Sequence, residues 1–532
     1  MASSLFPDNG LASLAGTLLA MGHEVKVLDY NTVGVLRRLV PPERTTALAA
    51  LLPFLGAKPG PDVVEHLLEI NRALEEDLAR VTEELAEDIA REVEEQDSHF
   101  LGFKLWSGDG FLASIRIAER LHSLFPGLKL YGGGPAVLYS EHTLFAHSNV
   151  FDALVDGEGE QAILGLAAFA EGKGSLGQVP NLVLSNGEKF QRTARSLVSD
   201  LDGLALPAYS PAVYPSLSGD EKIKLFVLDE SRGCPMGCAF CIHQDASGNR
   251  WRIKSPERVL QEVSVLGKDF GTSSIRLGGS YTPARFFEDF ARILGQTGVD
   301  IRFCGFAHPE GLPMEELNSL AASGCRSLFL GVESFDESDL RRLGKRMNPE
   351  RARESVRACL DAGIVPVVSV IMPVPGQTPE GLKTNREALL ELCSGTRATV
   401  VTQFPVLMPR TRWWEDKHAN GFRLLVEEDD YRQMTATYQV RHIIPPAFWE
   451  PLPYTVDGMG FKEYAGANAR FQRMLAEEGI VINVPDEVVL IADMLEMSLL
   501  DIRTRLQGLC FTLDAEAMAS FVADLNSRLT SA

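Results

Sequence analysis

No run of about 18 uninterrupted apolar residues occurs in the chain, which excludes an ordinary membrane-spanning helix. An excess of basic charge is also missing. Lys and Arg number 51 against 72 Asp and Glu, a net charge of −21, and a nucleic-acid partner would require a basic face. The opening stretch "MASSLFPDNG" lacks a basic segment followed by an apolar one, so no secretory signal is expected. Without such a signal the cysteines are expected to be reduced thiols in a cytoplasm. No repeat of solenoid length is present. No G-x-G-x-x-G follows a strand-like run, which argues against dinucleotide binding.

What is present starts with length. At 532 residues the chain exceeds one ordinary core, and two to four domains are expected. Apolar positions at Leu11, Leu14, Leu18 and Leu19 predict a helix ending at Gly22, with "VKVLDY" as a strand after it. Leu67, Ile70, Leu74, Leu78, Val81, Leu85, Ile89 and Val93 step by three or four, predicting a long amphipathic helix over about 62–95. The runs "FLGFKLW", "LKLYGG" and "DALVDGEG" alternate with helical patterns, the pattern of a parallel doubly wound sheet. A linker follows over 171–220, with a hairpin at Asn186-Gly187. A second alternation begins at 224–230 and continues through 273–280, 299–306, 325–334, 364–376 and 398–409. Six strand–helix repeats predict a partial (β/α)6 barrel, whose chemistry belongs at the C-terminal strand ends. Beyond about 410 the pattern turns mostly helical. The expected fold class is α/β, with domains at 1–195, 196–410 and 411–532, the last closing over the barrel mouth.

Directly after the first barrel strand comes "ESRGCPMGCAFCIHQD" (230–245), which gathers Cys234, Cys238 and Cys241 within eight residues. Three soft thiolates suit an iron–sulfur cluster or zinc. A zinc site would take His243 as a fourth ligand, but such sites pair two short-spaced ligand clusters, and a second is lacking. A disulfide would leave one cysteine over.

The spacing Cys234-x-x-x-Cys238-x-x-Cys241, with Phe240 before the last cysteine, resembles the signature of the radical S-adenosylmethionine (SAM) enzymes. "SRGCPMGCAFC", "RIKSPERVLQEV", "GCRSLFLGVES" and "PVPGQT" follow in that family's order, covering about 222–410. The resemblance implies a 4Fe-4S cluster on the three cysteines, with one iron open to the amino and carboxylate groups of SAM. One electron then cleaves the sulfonium to a 5′-deoxyadenosyl radical. It implies that Phe240 lies near the adenine and that Glu333 and Ser334 contact ribose or carboxylate. Gly278, Gly279 and Ser280 resemble the Gly-Gly-Glu strand end that receives the SAM amino group. Ser280 replaces the glutamate, so that carboxylate partner is missing.

"FLGFKLWSGDG", "LYGGGPAV" and "ALVDGEGEQAI" resemble the cobalamin-binding domain of one branch of the same family. The implied cofactor contacts are Ser107, Gly133, Gly134, Pro135, Gly157, Glu158 and Gly159, with the corrinoid lying between this domain and the barrel. The D-x-H-x-x-G motif that gives cobalt a histidine elsewhere is absent, as in that branch. Only "MASSL" precedes the loop "FPDNG", where the family has a central strand, so that strand is either vestigial or upstream of Met1. The resemblance implies a cobalamin-dependent radical SAM C-methyltransferase acting on a small molecule, free or carrier-bound. The product is expected to be a natural product such as an antibiotic, the acceptor conceivably an electron-rich ring such as pyrrole, and the electron donor a flavodoxin or ferredoxin. The alternatives are a ring-forming oxidoreductase or cyclase of the same branch, and a cobalamin or iron–sulfur sensor without turnover. Polar transfer to a ring would need a base. His243, Asp245 and Tyr281 are the candidates, with Glu333 as a further ionisable group near the strand ends.

Overall fold

The computed structural model describes residues 2–54, 60–187, 189–272, 274–438 and 451–530. Two sheets organise it. The first has five strands in chain order: β1 (Phe100–Lys104), β2 (Lys129–Gly133), β3 (Ala153–Val155), β4 (Leu182–Ser185) and β5 (Phe190–Arg192). β1, β2 and β3 are parallel, and β4 and β5 close one edge antiparallel. The hairpin expected in a linker therefore completes this sheet. The Asn186 side-chain oxygen accepts the Lys189 N–H (2.7 Å) at its turn.

The expected strand "VKVLDY" does not form. Residues 24–31 carry no regular structure, and a strand is stabilised only by a neighbour to bond with. Val27 N–H instead donates to the Val213 carbonyl (2.7 Å), and Asp29 pairs with the fully buried Lys222 ammonium (2.7 Å). Ala2–Leu5, just ahead of the "FPDNG" loop, is a 3-10 turn. The far edge of β1 is consequently open, and a cavity of about 2160 Å³ runs along it. Its walls are Phe100–Lys104, Val25–Asn31 and the apolar stripe of the long helix Pro61–Glu95, and it reaches Trp106, Asp109 and Gly110 beside the strand ends.

The second sheet is built from β6 (Phe226–Leu228), β9 (Ser274–Leu277), β10 (Arg302–Ala307), β11 (Cys325–Glu333), β12 (Val365–Ile371) and β13 (Thr399–Gln403), paired in parallel in that order. All six expected strands are present, and β17 (Val481–Ile482) adds a seventh beside β13. Between β6 and β9 a small antiparallel pair, β7 (Ser231–Arg232) and β8 (Arg252–Ile253), brackets the cysteine loop. Helices 256–270, 284–297, 349–361 and 379–393 bury one face in a core that includes Leu277, Phe303, Leu330 and Val368.

The C-terminal region divides, correcting the expectation that all of it covers the mouth. Helices 486–494, 499–512 and 515–529 pack on the other face of the sheet, against Leu225, Cys304, Val365 and Val367. There Arg276 makes a two-pronged pair with Asp486 (2.9 Å each). Residues 411–438 and 451–465 instead surround the strand ends. Trp413, Trp414 and Tyr431 pack with β14 (Phe422–Leu424), β15 (Tyr454–Val456) and β16 (Met459–Gly460) next to Ala239 and Leu343. Among the described residues no helix is long and apolar enough to cross a membrane.

Candidate active site at the barrel mouth

The cysteine loop owes its path to two glycines and a helical neighbour. Gly233 has φ of 83°, and a Cβ there would lie 2.3 Å from the Arg250 carbonyl oxygen, so only glycine fits. Gly237 likewise has φ of 74°. Cys234 N–H donates to Gly248 O (3.3 Å), Ala239 N–H to Leu343 O (2.8 Å) and Trp413 N–H to Ala239 O (2.8 Å). These bonds fix the loop to the barrel and to the C-terminal region together. Cys234, Cys238 and Cys241 are all part-exposed, whereas Cys304, Cys325, Cys359 and Cys393 are buried.

Burial pushes the Cys238 thiol up to about 12, opposed by the nearby Lys345 ammonium, whose charge acts on all three thiols. Among the described residues no three Cys, His, Asp or Glu side chains converge as ligands of a single ion. A tetrahedral zinc site with bonds of ~2.3 Å would bring its sulfurs to roughly 3.8 Å from one another. The three cysteines, four and three residues apart on one loop, suit three corners of an iron–sulfur cluster. His243, the zinc alternative's fourth ligand, faces Ser280 (Nδ1 to Oγ, 3.4 Å).

The Gly278–Ser280 strand end is supported from below by a residue that the motif search missed. Glu230 is fully buried, accepts the Gly279 N–H (2.9 Å) and the Thr282 hydroxyl, and is pushed up by burial to about 7. A Cβ on Gly279 would lie 2.3 Å from Glu230 Oε1. The carboxyl absent at Ser280 is thus present on the adjoining strand end, beneath the backbone. Tyr281 donates its N–H to Ser231 Oγ (3.2 Å), and its carbonyl accepts the Trp251 indole N–H (2.9 Å).

Glu333 ends β11 at a bulge, with φ of 68°, and its buried carboxyl faces Lys345 (3.9 Å) and the Ser369 hydroxyl (3.4 Å). Burial raises its pKa and Lys345 opposes that. Lys345 is a second residue without a local motif to announce it. Ser334 is turned into the scaffold, bonding Asp339 (3.1 Å) and Asn385 (3.0 Å). Gln377 of "PVPGQT" reaches the same Asp339 (2.7 Å). Phe240 packs against Trp413, with ring centroids 5.8 Å apart. Asp245 is occupied by ion pairs with Arg410 and Arg195.

The C-terminal edge of the first sheet abuts this loop. Gly134, φ 102°, opens the short helix that Pro135 starts, and Gly157 has φ of 131°. Ser107, Gly108, Gly133, Gly134 and Gly157 leave three successive strand ends without bulky side chains, an arrangement open to a large planar ligand at the backbone. Glu158 does not face that edge freely. Its carboxylate is gripped by Arg252 (2.7 and 3.0 Å) and by the Val198 N–H (2.6 Å). Gly159 leads into helix Glu160–Ala170. Glu160 pairs with Arg232 (2.7 Å), and Asp156 pairs with Arg410 (2.6 Å), which also reaches Asp245. Three ion-paired links therefore seam the first sheet to both ends and the middle of the cysteine loop.

Residues 231–389 match the family model "Radical SAM superfamily". An uncharacterized methyltransferase of Pyrococcus horikoshii is 26% identical over 314 residues, 58% of this chain and 67% of that protein. The hopanoid C-3 methylase of Methylococcus capsulatus is 24% identical over 350 residues, 64% of this chain and 62% of that one. The chain thus spans no more than about two thirds of these relatives' length. The solved radical S-adenosylmethionine methyltransferase TsrM of Kitasatospora setae, with cobalamin and a 4Fe-4S cluster bound, superposes with a TM-score of 0.62 at 15% identity, covering 97% of this chain and 98% of that one. Residues 231–389 therefore carry a radical SAM domain, and the fold over nearly the whole length is similar to that of a solved methyltransferase.

Proposed function

We propose that the protein is a cobalamin-dependent radical SAM methyltransferase that places a methyl group on a carbon of a small molecule. The observation that carries this reading is the seam. The glycine-rich strand ends of the first sheet stand against the cysteine loop, joined by Asp156–Arg410–Asp245, Glu158–Arg252 and Glu160–Arg232. A methyl carrier on one side and a cluster on the other would share one space. Cys234, Cys238 and Cys241 would hold the cluster, and Ser107, Gly133, Gly134, Pro135 and Gly157 would face the corrinoid. When bound, SAM supplies the methyl group and, at the reduced cluster, a radical, and cobalamin relays the methyl.

The chain's own residues orient and enclose. Lys345 offers a buried cation near all three thiols. The Gly279–Ser280 backbone, buttressed by Glu230, presents a strand end to the SAM amino group. Trp413, Trp414, Tyr454 and Phe461 exclude water from the cluster side of the mouth, which strengthens every charge interaction inside. Trp251 and Tyr281 stand edge to face at 6.2 Å, an aromatic corner suited to a ring-bearing natural-product substrate, and TsrM has been solved with tryptophan substrate bound. Asp245 is tied in two ion pairs, which leaves His243 and Tyr281 as the candidate bases for polar transfer, and the reading takes the radical route. A flavodoxin or ferredoxin would supply the electron, in a cytoplasm that keeps the thiols reduced.

Anaerobic reconstitution followed by addition of SAM and reductant tests the reading. About four irons and one cobalamin per chain are expected, with S-adenosylhomocysteine formed from the bound SAM and with 5′-deoxyadenosine. Tightly bound zinc without iron, or failure to retain cobalamin under saturating supply, would refute it.

A further inference from the structure

His308 directly follows β10 and caps the 3-10 turn Pro309–Gly311, and only 7% of it is exposed. Its Nδ1 accepts the Glu310 backbone N–H (3.2 Å). A backbone N–H can only donate, so Nδ1 presents its lone pair and the proton of the neutral ring sits on Nε2. That Nε2 is sealed from solvent and has no hydrogen-bond partner. A buried donor left without an acceptor is costly and rare in native proteins. An acceptor therefore has to come from outside the chain.

The surroundings say what kind. Lys345 is near enough to help keep the His308 ring neutral, and Glu333, its ion-pair partner, lies at the long distance of 3.9 Å. Tyr281 stands on the near side of the ring, centroids 6.2 Å apart, and Trp251 beyond it. One neutral N–H donor, with an ammonium close enough to act on its ring and an aromatic side chain beside it, fits an anionic, planar oxygen pair. We propose that His308, with Lys345, seats a carboxylate of the small molecule bound at the barrel mouth, donating from Nε2. This deepens the methyltransferase reading and rests on it, since it names the substrate class of that same mouth. The carboxylate belongs either to the methionine end of SAM or to a carboxylic-acid methyl acceptor, and binding separates the two.

The test uses reconstituted protein loaded with cluster and cobalamin, in wild type, His308→Leu and His308→Gln, the last keeping a side-chain N–H. Equilibrium dialysis without oxygen measures S-adenosyl-L-homocysteine. On protein saturated with that compound it then measures two acid pairs: L-tryptophan against tryptamine, and pyrrole-2-carboxylate against pyrrole. Iron and cobalt content guard against misfolding. A rise of tenfold or more in the S-adenosylhomocysteine Kd of His308→Leu, largely restored in His308→Gln, assigns the carboxylate to the methionine end. The same pattern for an acid but not for its decarboxylated partner assigns it to the acceptor. Unchanged Kd values for every probe in fully loaded His308→Leu overturn the proposal, as does an ordered water as the sole Nε2 partner in a loaded structure. Wild type that retains neither cobalamin nor S-adenosylhomocysteine overturns the underlying reading, and this proposal falls with it.

Discussion

The two large sheets of this chain differ in how their edges and faces are covered. The seven-stranded sheet is covered on both faces, by the barrel helices on one and the C-terminal helices on the other. The five-stranded sheet has an antiparallel hairpin on one edge and an open β1 on the other, with about 2160 Å³ of cavity beside it. The first arrangement holds a reactive loop in one geometry. The second leaves room for a ligand larger than most side-chain pockets can take. Rigid placement and spacious reception are divided between the sheets, and the ion-paired seam brings them together at the cysteine loop.

The comparison can be broken at its strongest point by replacing Cys234, Cys238 and Cys241 together with Ala. Iron and the broad visible absorbance should vanish, with cobalamin retention unaffected. Loss of cobalamin as well would show that the two sites are not separately built. The next effect concerns packing. Leu330→Ala, in the fully buried barrel core, should cost about 2–5 kcal/mol. Leu101→Ala, on the half-buried strand that lines the existing cavity, should cost less than about 1 kcal/mol, because little new void is created. Denaturant titration of both variants checks the contrast, and equal losses would deny it.

Arg252→Ala probes the seam. It leaves the buried Glu158 carboxylate without its two-pronged partner, a change of about 3 kcal/mol for a buried pair. Cobalamin retention should fall more than iron content does, as read by metal analysis after gel filtration.

The smallest effect is the pH response of Glu230. Its folded pKa of about 7 lies above the ordinary 4.5, so its favourable contribution is full below pH 4.5 and is lost as pH rises through about 7. Glu487 is pushed in the same direction by burial and Asp486, so the wild-type profile alone does not isolate Glu230. Glu230→Gln should flatten the fall in Tm between pH 5 and 8 relative to wild type. An unchanged slope would show that Glu230 is ionised without cost.

The barrel was legible because each of its six strands is an apolar run between amphipathic stretches, and each finds a partner on both sides or at a covered edge. "VKVLDY" has the same local character but no strand beside it, so local propensity alone misjudged it. Pairing is a property of two segments and is not written in either one. The cysteines were legible by spacing. Glu230, His308 and Lys345 were not, since each is a single residue whose role comes from what folding places next to it. Glu230 and His308 share a position just beyond a strand end, where this architecture concentrates chemistry, whereas Lys345 follows the helix Glu337–Arg342 and lacks even that signal. Glu158 and Ser334 sat inside recognisable motifs, yet their side chains serve the scaffold. A motif marks a place in the chain more reliably than it marks the direction of each side chain.

The central claim is that cluster and corrinoid share one space across the seam. Pulsed electron paramagnetic resonance on protein carrying a reduced cluster and cob(II)alamin tests it most directly, because dipolar coupling between two unpaired spins falls with the cube of their separation. Strong coupling that weakens in Arg410→Ala, which cuts the link between Asp156 and Asp245, is the predicted result. Two uncoupled signals from a chain loaded with both centres would contradict the account.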